Sequence, residues 1–293
     1  MKKGTRLTKQ DILTLQSIGH TKVDVAILSD DDVHEDEAAE IIAAALLDGS
    51  ALLRATRGVG GRVNVHVEED GVLYVDAPRL VALNQLTGIT LATRHPYTPL
   101  GPSFDSTQAA TLKIIPYAIP RAIVDEAVQL TQGVMWVIPL APRRVALLIT
   151  AHEGSQPRIR QQFETPTQER LSRLGSMLAT VDCVPEDEMA IAEAAQRLLT
   201  THDALIIGGQ TSVMDIEDIT PRALAQIGAE VTLHGAPVEP GNLLALAYHD
   251  NHWIMCAPGC AKSPSLNIVD LLLPRLIAGE KVGRREIAEL GLG

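Results

Sequence analysis

The pattern of apolar and polar positions changes twice along this chain. Leu7 to Gly19 reads as a helix opened by Thr8 as N-cap, with Asp11 in its first turn and Gly19 as its stop. Lys22 to Leu28 alternates, which predicts a short strand, and the acidic run SDDDVHEDEAAE then leads into a helix reaching Leu47. Those acids sit where the helix dipole favours negative charge. The run lacks the D-x-D-x-D-G spacing of a calcium loop, so its plain reading is a solvated helix start, with a divalent-metal site as the sharper alternative.

From Gly58 the pattern becomes β-like. Gly58, Gly60 and Gly61 precede Arg62 to Val67, which alternates; a turn at Glu69–Gly71 and a strand at Val72 to Val75 complete an expected hairpin. Some helix is expected near Arg79–Leu86, then a Pro/Gly/Ser-rich connector, Pro96 to Ser103, and a strand at Thr111 to Ile115. Residues 59–120 thus read as a mainly β subdomain inside an N-terminal α+β domain, 1–141.

After Pro139 and Pro142 strands and helices alternate. Val145 to Thr150 and Ala204 to Ile207 are continuous apolar runs, as strands buried on both faces should be. Between and after them come a helix at Pro166 to Leu178, a strand at Ala179 to Val184 and a helix at Asp187 to Leu199. There follow a helix at Pro221 to Ile227 with Pro as its first residue, and strands at Val231 to Leu233, Leu243 to Tyr248 and Trp253 to Cys256. A closing helix spans Ser263 to Leu276. Such alternation implies an α/β fold: a three-layer αβα domain on a mostly parallel sheet, 142–293, with ligands outside the carboxyl ends of the strands.

Composition narrows the partners. Acidic residues outnumber basic ones by 36 to 25, a formal charge of −11, which repels nucleic-acid backbones and anionic membranes. With two Trp, four Tyr and two Phe, base-stacking platforms are not expected either. The longest apolar run, Ile41 to Leu47, is far short of a membrane span, and no apolar stretch follows the basic start MKKGTRLTKQD as a secretory leader would require. Three cysteines, with Cys256 and Cys260 spaced C-x3-C, make neither a disulfide framework nor a zinc site and fit a cytoplasmic protein.

Three loops follow three predicted strands: Thr150 to Ser155, Gly208 to Asp218, and Ala257 to Ser263. On parallel strands they converge on one cleft. Gly208 and Gly209 allow close backbone approach to an anion, and Thr211 and Ser212 add hydroxyls. Pro258-Gly259 opens a helix whose N-terminus is a second anion cradle, with Lys262 as point charge. Asp215 and Asp218 suit cation binding or proton transfer. Each feature alone has a plain structural reading: a tight turn, a helix-start charge, a surface histidine at His152. Cys260 as a nucleophile lacks an assigned partner base.

Together, Ile206-Ile207-Gly208-Gly209, Asp218-Ile219-Thr220-Pro221, Gly228-Ala229-Glu230-Val231, His234-Gly235, Val238-Glu239-Pro240-Gly241-Asn242 and Ala257-Pro258-Gly259 resemble the molybdopterin-binding domain. This domain is shared by molybdopterin adenylyltransferases and molybdotransferases. The resemblance covers about residues 142–280, and Lys3-Gly4-Thr5 through Leu7-Thr8, Asp11-Ile12, Leu15 and Gly19 is similar to a segment of the molybdotransferases. It implies pterin and phosphate contacts at Gly208, Gly209, Gln210, Thr211 and Ser212, and further contacts at Pro240, Gly241, Asn242, Pro258, Gly259, Lys262 and Ser263. It also implies an acidic, Mg²⁺-holding catalytic role for Asp218, with Asp215 as its rival. Departures fall in the loops: Thr150-Ala151-His152-Glu153 replaces Thr-Gly-Asp-Glu, and Ala-Pro-Gly-Cys-Ala-Lys-Ser replaces Leu-Pro-Gly-Asn-Pro.

The resemblance therefore points to a molybdopterin-binding protein of molybdenum cofactor biosynthesis or handling. It would be a transferase using Mg²⁺ or a non-catalytic carrier or sensor; an unrelated nucleotide or sugar-phosphate enzyme on the same sheet is the remaining alternative. Expected partners are a pterin or nucleotide small molecule, a second copy of the chain in a homo-oligomer, and other molybdenum-cofactor proteins.

Overall fold

The computed structural model describes residues 7–292, which divide between Ile138 and Pro139 into two compact units. Among the described residues no helix is long and apolar enough to cross a membrane.

The first unit opens with α1 (Lys9–Ser17), where Thr8 and Asp11 form a reciprocal capping box, and Gly19 follows at φ +88°. Next come β1 (Asp32–His34), α2 (Glu35–Leu47), β2 (Leu53–Arg57), β3 (Arg62–Val67) and β4 (Gly71–Val75). They are followed by α3 (Ala77–Gln85), β5 (Ile89–Thr93), β6 (Pro99–Leu100), β7 (Gln108–Ile114), β8 (Ala118–Pro120), α4 (Arg121–Thr131) and β9 (Met135–Pro139). An antiparallel sheet of order β2-β3-β7-β5 packs its alternating apolar face, Val63, Val65, Leu91 and Leu112 among them, with Ala38, Ile42 and Leu46 of α2.

Two expectations fail here. Strands β3 and β4 do not form a hairpin: β3 has both edges filled by β2 and β7, and β4 lies between β6 and β9 in another sheet. Lys22–Leu28 forms no strand. Val23, Val25 and Ile27 are exposed, and alternation becomes a strand only where a neighbouring edge supplies hydrogen bonds.

The second unit runs β10 (Arg144–Thr150), α5 (Gln156–Arg173), β11 (Met177–Val184), α6 (Glu188–Leu199), β12 (Ala204–Gly209) and α7 (Ile219–Gln226). It continues through β13 (Glu230–His234), β14 (Ala245–His249), β15 (His252–Ala257), α8 (Ile268–Ile277) and α9 (Arg284–Ala288). The sheet order is β11-β10-β12-β15-β14-β13. The first four strands are mutually parallel and β14 runs antiparallel to both neighbours. The apolar runs at 145–149, 204–207 and 253–256 are buried strands of this one sheet, as continuous hydrophobicity requires. Ala146, Leu148, Leu205 and Ile207 pack with Ile191, Ala195 and Leu198 of α6 and Leu224 of α7. The opposite face receives α5, whose Phe163 ring lies against Gly208. The αβα layering stands.

Three helix starts are corrected. Helix α5 begins ten residues before Pro166, which lies inside it. Burial of Ile159, Phe163, Thr167, Arg170 and Leu171 along one stripe outweighs the roughly 3 kcal/mol that an interior proline costs. Pro221 is the third residue of α7, because Asp218 is the N-cap. The closing helix starts at Ile268, where Asn267 and Asp270 form a capping box. Pro258-Gly259 opens only a 3-10 turn, Gly259–Lys262, so the helix N-terminus expected there as an anion cradle lies at Asn267, with its own side chains on its N–H groups.

Candidate functional site

Strand β10 leads through α5 to β11 on one side, whereas β12 lies on its other side and leads to α7 on the opposite face. Chain direction thus diverges between β10 and β12, and the carboxyl ends of such a strand pair leave a crevice. A cleft of about 260 Å³ lies there, lined by Thr150, Glu186, Ile191, Thr211, Ser212, Val213, Met214, Asp218, Ile219 and Thr220.

Hydrogen bonds tie the three loops together. The Ser155 hydroxyl donates to Gln210 Oε1 at 2.8 Å, and the Gln210 N–H donates to the Thr150 carbonyl at 3.0 Å. The Gly259 N–H donates to Ser212 Oγ at 3.2 Å, joining the second loop to the third. Thr211 Oγ1 donates to Glu186 Oε1 at 3.3 Å.

The glycines divide by role. A Cβ on Gly208 would stand 2.9 Å from the Phe163 ring, and one on Gly209 would stand 2.5 Å from the Thr211 carbonyl oxygen. At both positions protein atoms fill the space that a side chain would need. At Gly259 a Cβ would meet only Ser212 Oγ, at an ordinary 3.6 Å. Gly241, at φ +136°, would put a Cβ 2.3 Å from Ile268 Cγ2. The Pro240 carbonyl accepts the Ile268 N–H, and the Asn242 carbonyl accepts the Ala236 N–H. Residues 240–242 seat the start of α8, and like Gly208–Gln210 and Pro258–Ser263 they are not among the residues that line the cleft.

The aspartates hold their own loop. Asp218 Oδ2 accepts the N–H groups of Met214 at 2.7 Å and Asp215 at 3.0 Å, and these bonds hold its pKa below the ordinary carboxylate value. Asp215 Oδ1 accepts the Glu217 N–H at 2.8 Å. Among the described residues no three His, Cys, Asp or Glu side chains gather as metal ligands. Burial raises the pKa of Cys183, of Cys260 and, to about 12, of Cys256. All three are thiols at neutral pH, and none is an activated nucleophile.

Lys262 is half-buried, its Nζ 5.0 Å from the centroid of the Phe163 ring. Ser263 Oγ accepts the Ser265 N–H, and its carbonyl accepts from Arg170 Nη2 at 2.7 Å. His152 is exposed.

Residues 146–278 match the family described as the probable molybdopterin binding domain. The second unit carries a domain of that family. The domain spans the cleft and all three loops. Similar solved structures include the molybdopterin biosynthesis MoeA protein of Pyrococcus horikoshii, at 12% identity over 84% of this chain and 80% of that one, TM-score 0.36. The molybdopterin biosynthesis enzyme MoaB of Thermus thermophilus matches at 15% identity over 47% of this chain and 98% of that one, TM-score 0.36. The CinA protein of Thermoplasma acidophilum, of unknown function, matches at 13% over 46% and 96%, TM-score 0.36. Likeness at this level carries no argument about function. No curated protein matches the chain.

Sequence reasoning missed Glu186, Phe163 and Arg170. Glu186 follows β11, a fourth parallel strand whose carboxyl end obeys the same rule as the other three. Arg170 is buried and donates to Asp270 and to the carbonyls of Ala261, Ser263 and Ser265, fixing the third loop from beneath. No local signal marks it, because every partner lies about a hundred residues away.

Proposed function

We propose that the second unit binds molybdopterin, or its nucleotide-bearing form, in the cleft beyond β10 and β12, and serves molybdenum cofactor biosynthesis or handling. The observation that carries this reading is the coincidence of the family match with a cleft at the divergence of β10 and β12. Thr211 and Ser212 of the lining offer two hydroxyls, and the third loop, joined to Ser212 through the Gly259 N–H, offers exposed backbone at Gly259 and the Lys262 ammonium group. Holding the pterin is favoured over metal-assisted transfer. Asp218 Oδ2 and Asp215 Oδ1 already accept backbone N–H groups of their own loop, which gives both carboxylates a part in holding that loop.

Gly259 supplies the test, because a side chain there meets no crowded protein atom. In fluorescence titrations of the full chain with molybdopterin, Gly259→Val should weaken binding at least ~10-fold, about 1.4 kcal/mol. Its melting temperature should stay within about 2 °C of wild type. Unchanged affinity, or no binding by the wild-type protein, refutes the reading.

A further inference from the structure

The charges at this site are segregated. The cleft lining contains two carboxylates, Glu186 and Asp218, and neither Lys nor Arg. Asp218 Oδ2 is taken by its own loop, but Glu186 is bonded only through Oε1, to a hydroxyl; Oε2 accepts nothing among the described residues. Lys262 lies over the ring of Phe163, which packs against Gly208, and Arg158 stands in the first turn of α5. Neither cation has a carboxylate partner among the described residues, in a chain of formal charge −11 that pairs Arg160, Arg170, Arg197 and Arg222. Burial, and then repulsion by Arg158, hold the Lys262 pKa below the usual lysine value. A bound anion would relieve that repulsion.

A phosphate placed on Thr211 and Ser212 would face Glu186 and Asp218, a like-charge contact. A phosphate placed on Lys262 and Arg158 would not. The carboxylate fits the other end of such a ligand: a pterin presents its ring N3–H and 2-amino group as two parallel donors, a pattern that matches one carboxylate. Resting on the pterin reading above, we infer that the ligand lies across the site with its phosphate on Lys262 and Arg158 and its donor edge on Glu186. Glu186 is then the residue that selects a ring carrying an amino–imino donor pair, and the two cations select a phosphorylated side chain.

Three probes separate the two ends in titrations of the full chain: 6-hydroxymethylpterin, its monophosphate, and inorganic phosphate. Lys262→Gln and Arg158→Gln should each weaken the phosphorylated pterin by at least ~10-fold and leave the unphosphorylated one within about two-fold, as loss of a charge-assisted bond predicts. Glu186→Gln should weaken both pterins by a similar ~10-fold and leave inorganic phosphate unchanged. Thermal unfolding of each variant shows that it folds. Tighter binding of the phosphorylated pterin by Glu186→Gln would place phosphate beside that carboxylate and overturn the orientation. So would equal weakening of both pterins by Lys262→Gln, with the pterin reading intact. If neither pterin binds wild type while phosphate binds through Lys262, the pterin reading itself falls and Glu186 loses its role with it.

Discussion

Removing the Arg170 side chain tests how the third loop is held. Its Nε and Nη2 reach Asp270 Oδ1 and Oδ2 at 2.8 and 3.1 Å, a two-point carboxylate contact. The same guanidinium donates to the carbonyls of Ala261 at 2.9 Å, Ser263 at 2.7 Å and Ser265 at 3.3 Å. Arg170→Ala therefore leaves a partly buried carboxylate and three carbonyls without this donor. Breaking a buried pair from one side costs about 3–5 kcal/mol. Asp270 is 18% exposed and keeps the Asn267 N–H at 2.9 Å, so the loss belongs at the low end, about 3 kcal/mol. For a unit the size of Pro139–Gly293 each kcal/mol moves the midpoint by about 2–4 °C, so scanning calorimetry should show a fall of roughly 6–12 °C. Arg170→Lys keeps the charge but not the planar fork, and should fall between the two. A midpoint for Arg170→Ala within about 2 °C of wild type would show that the loop holds itself, and would refute the reasoning.

Two other consequences are as direct. The Tyr248 hydroxyl accepts the Val282 N–H at 2.9 Å and donates to the Val282 carbonyl at 3.1 Å, and burial pushes its pKa from 10.0 to about 12. The neutral phenol is the form that the fold holds, so its contribution is whole below pH 10 and disappears as pH rises toward 12. Denaturant midpoints should decline over that window in wild type and less steeply in Tyr248→Phe; parallel curves would refute the assignment. In the first unit, Lys113 Nζ donates to the carbonyls of Gly60 and Ile114 and pairs with Glu35, whose side chain is 9% exposed. Lys113→Met should cost about 3 kcal/mol in urea unfolding by stranding that carboxylate, and adding Glu35→Gln should recover part of it. A double variant no more stable than the single one would show that the charge was not the cause.

What was legible in the sequence is whatever a residue decides with its near neighbours or by hydrophobicity alone. Thr8 and Asp11, or Asp187 with the Ala190 N–H, cap helices across three residues, so the signal and the bond lie in one window. The runs 145–149, 204–207 and 253–256 are apolar throughout because both sheet faces are covered, and from them follow the parallel sheet and the three loops at its carboxyl edge. Tertiary structure alone decided what depends on a distant partner. The alternating stretches at 22–28 and 62–67 look equivalent, yet only the second finds β2 and β7 at its edges. Pro166 reads as a helix start until burial of Ile159 and Phe163 carries the helix past it. Gly208 and Gly209 read as room for an anion, and only the fold shows that Phe163 and the Thr211 carbonyl stand where their side chains would go. Composition counted charges, but only the fold gathered Glu186 and Asp218 into the cleft and set Lys262 over Phe163, because charge acts through distance in space and sequence records only distance along the chain.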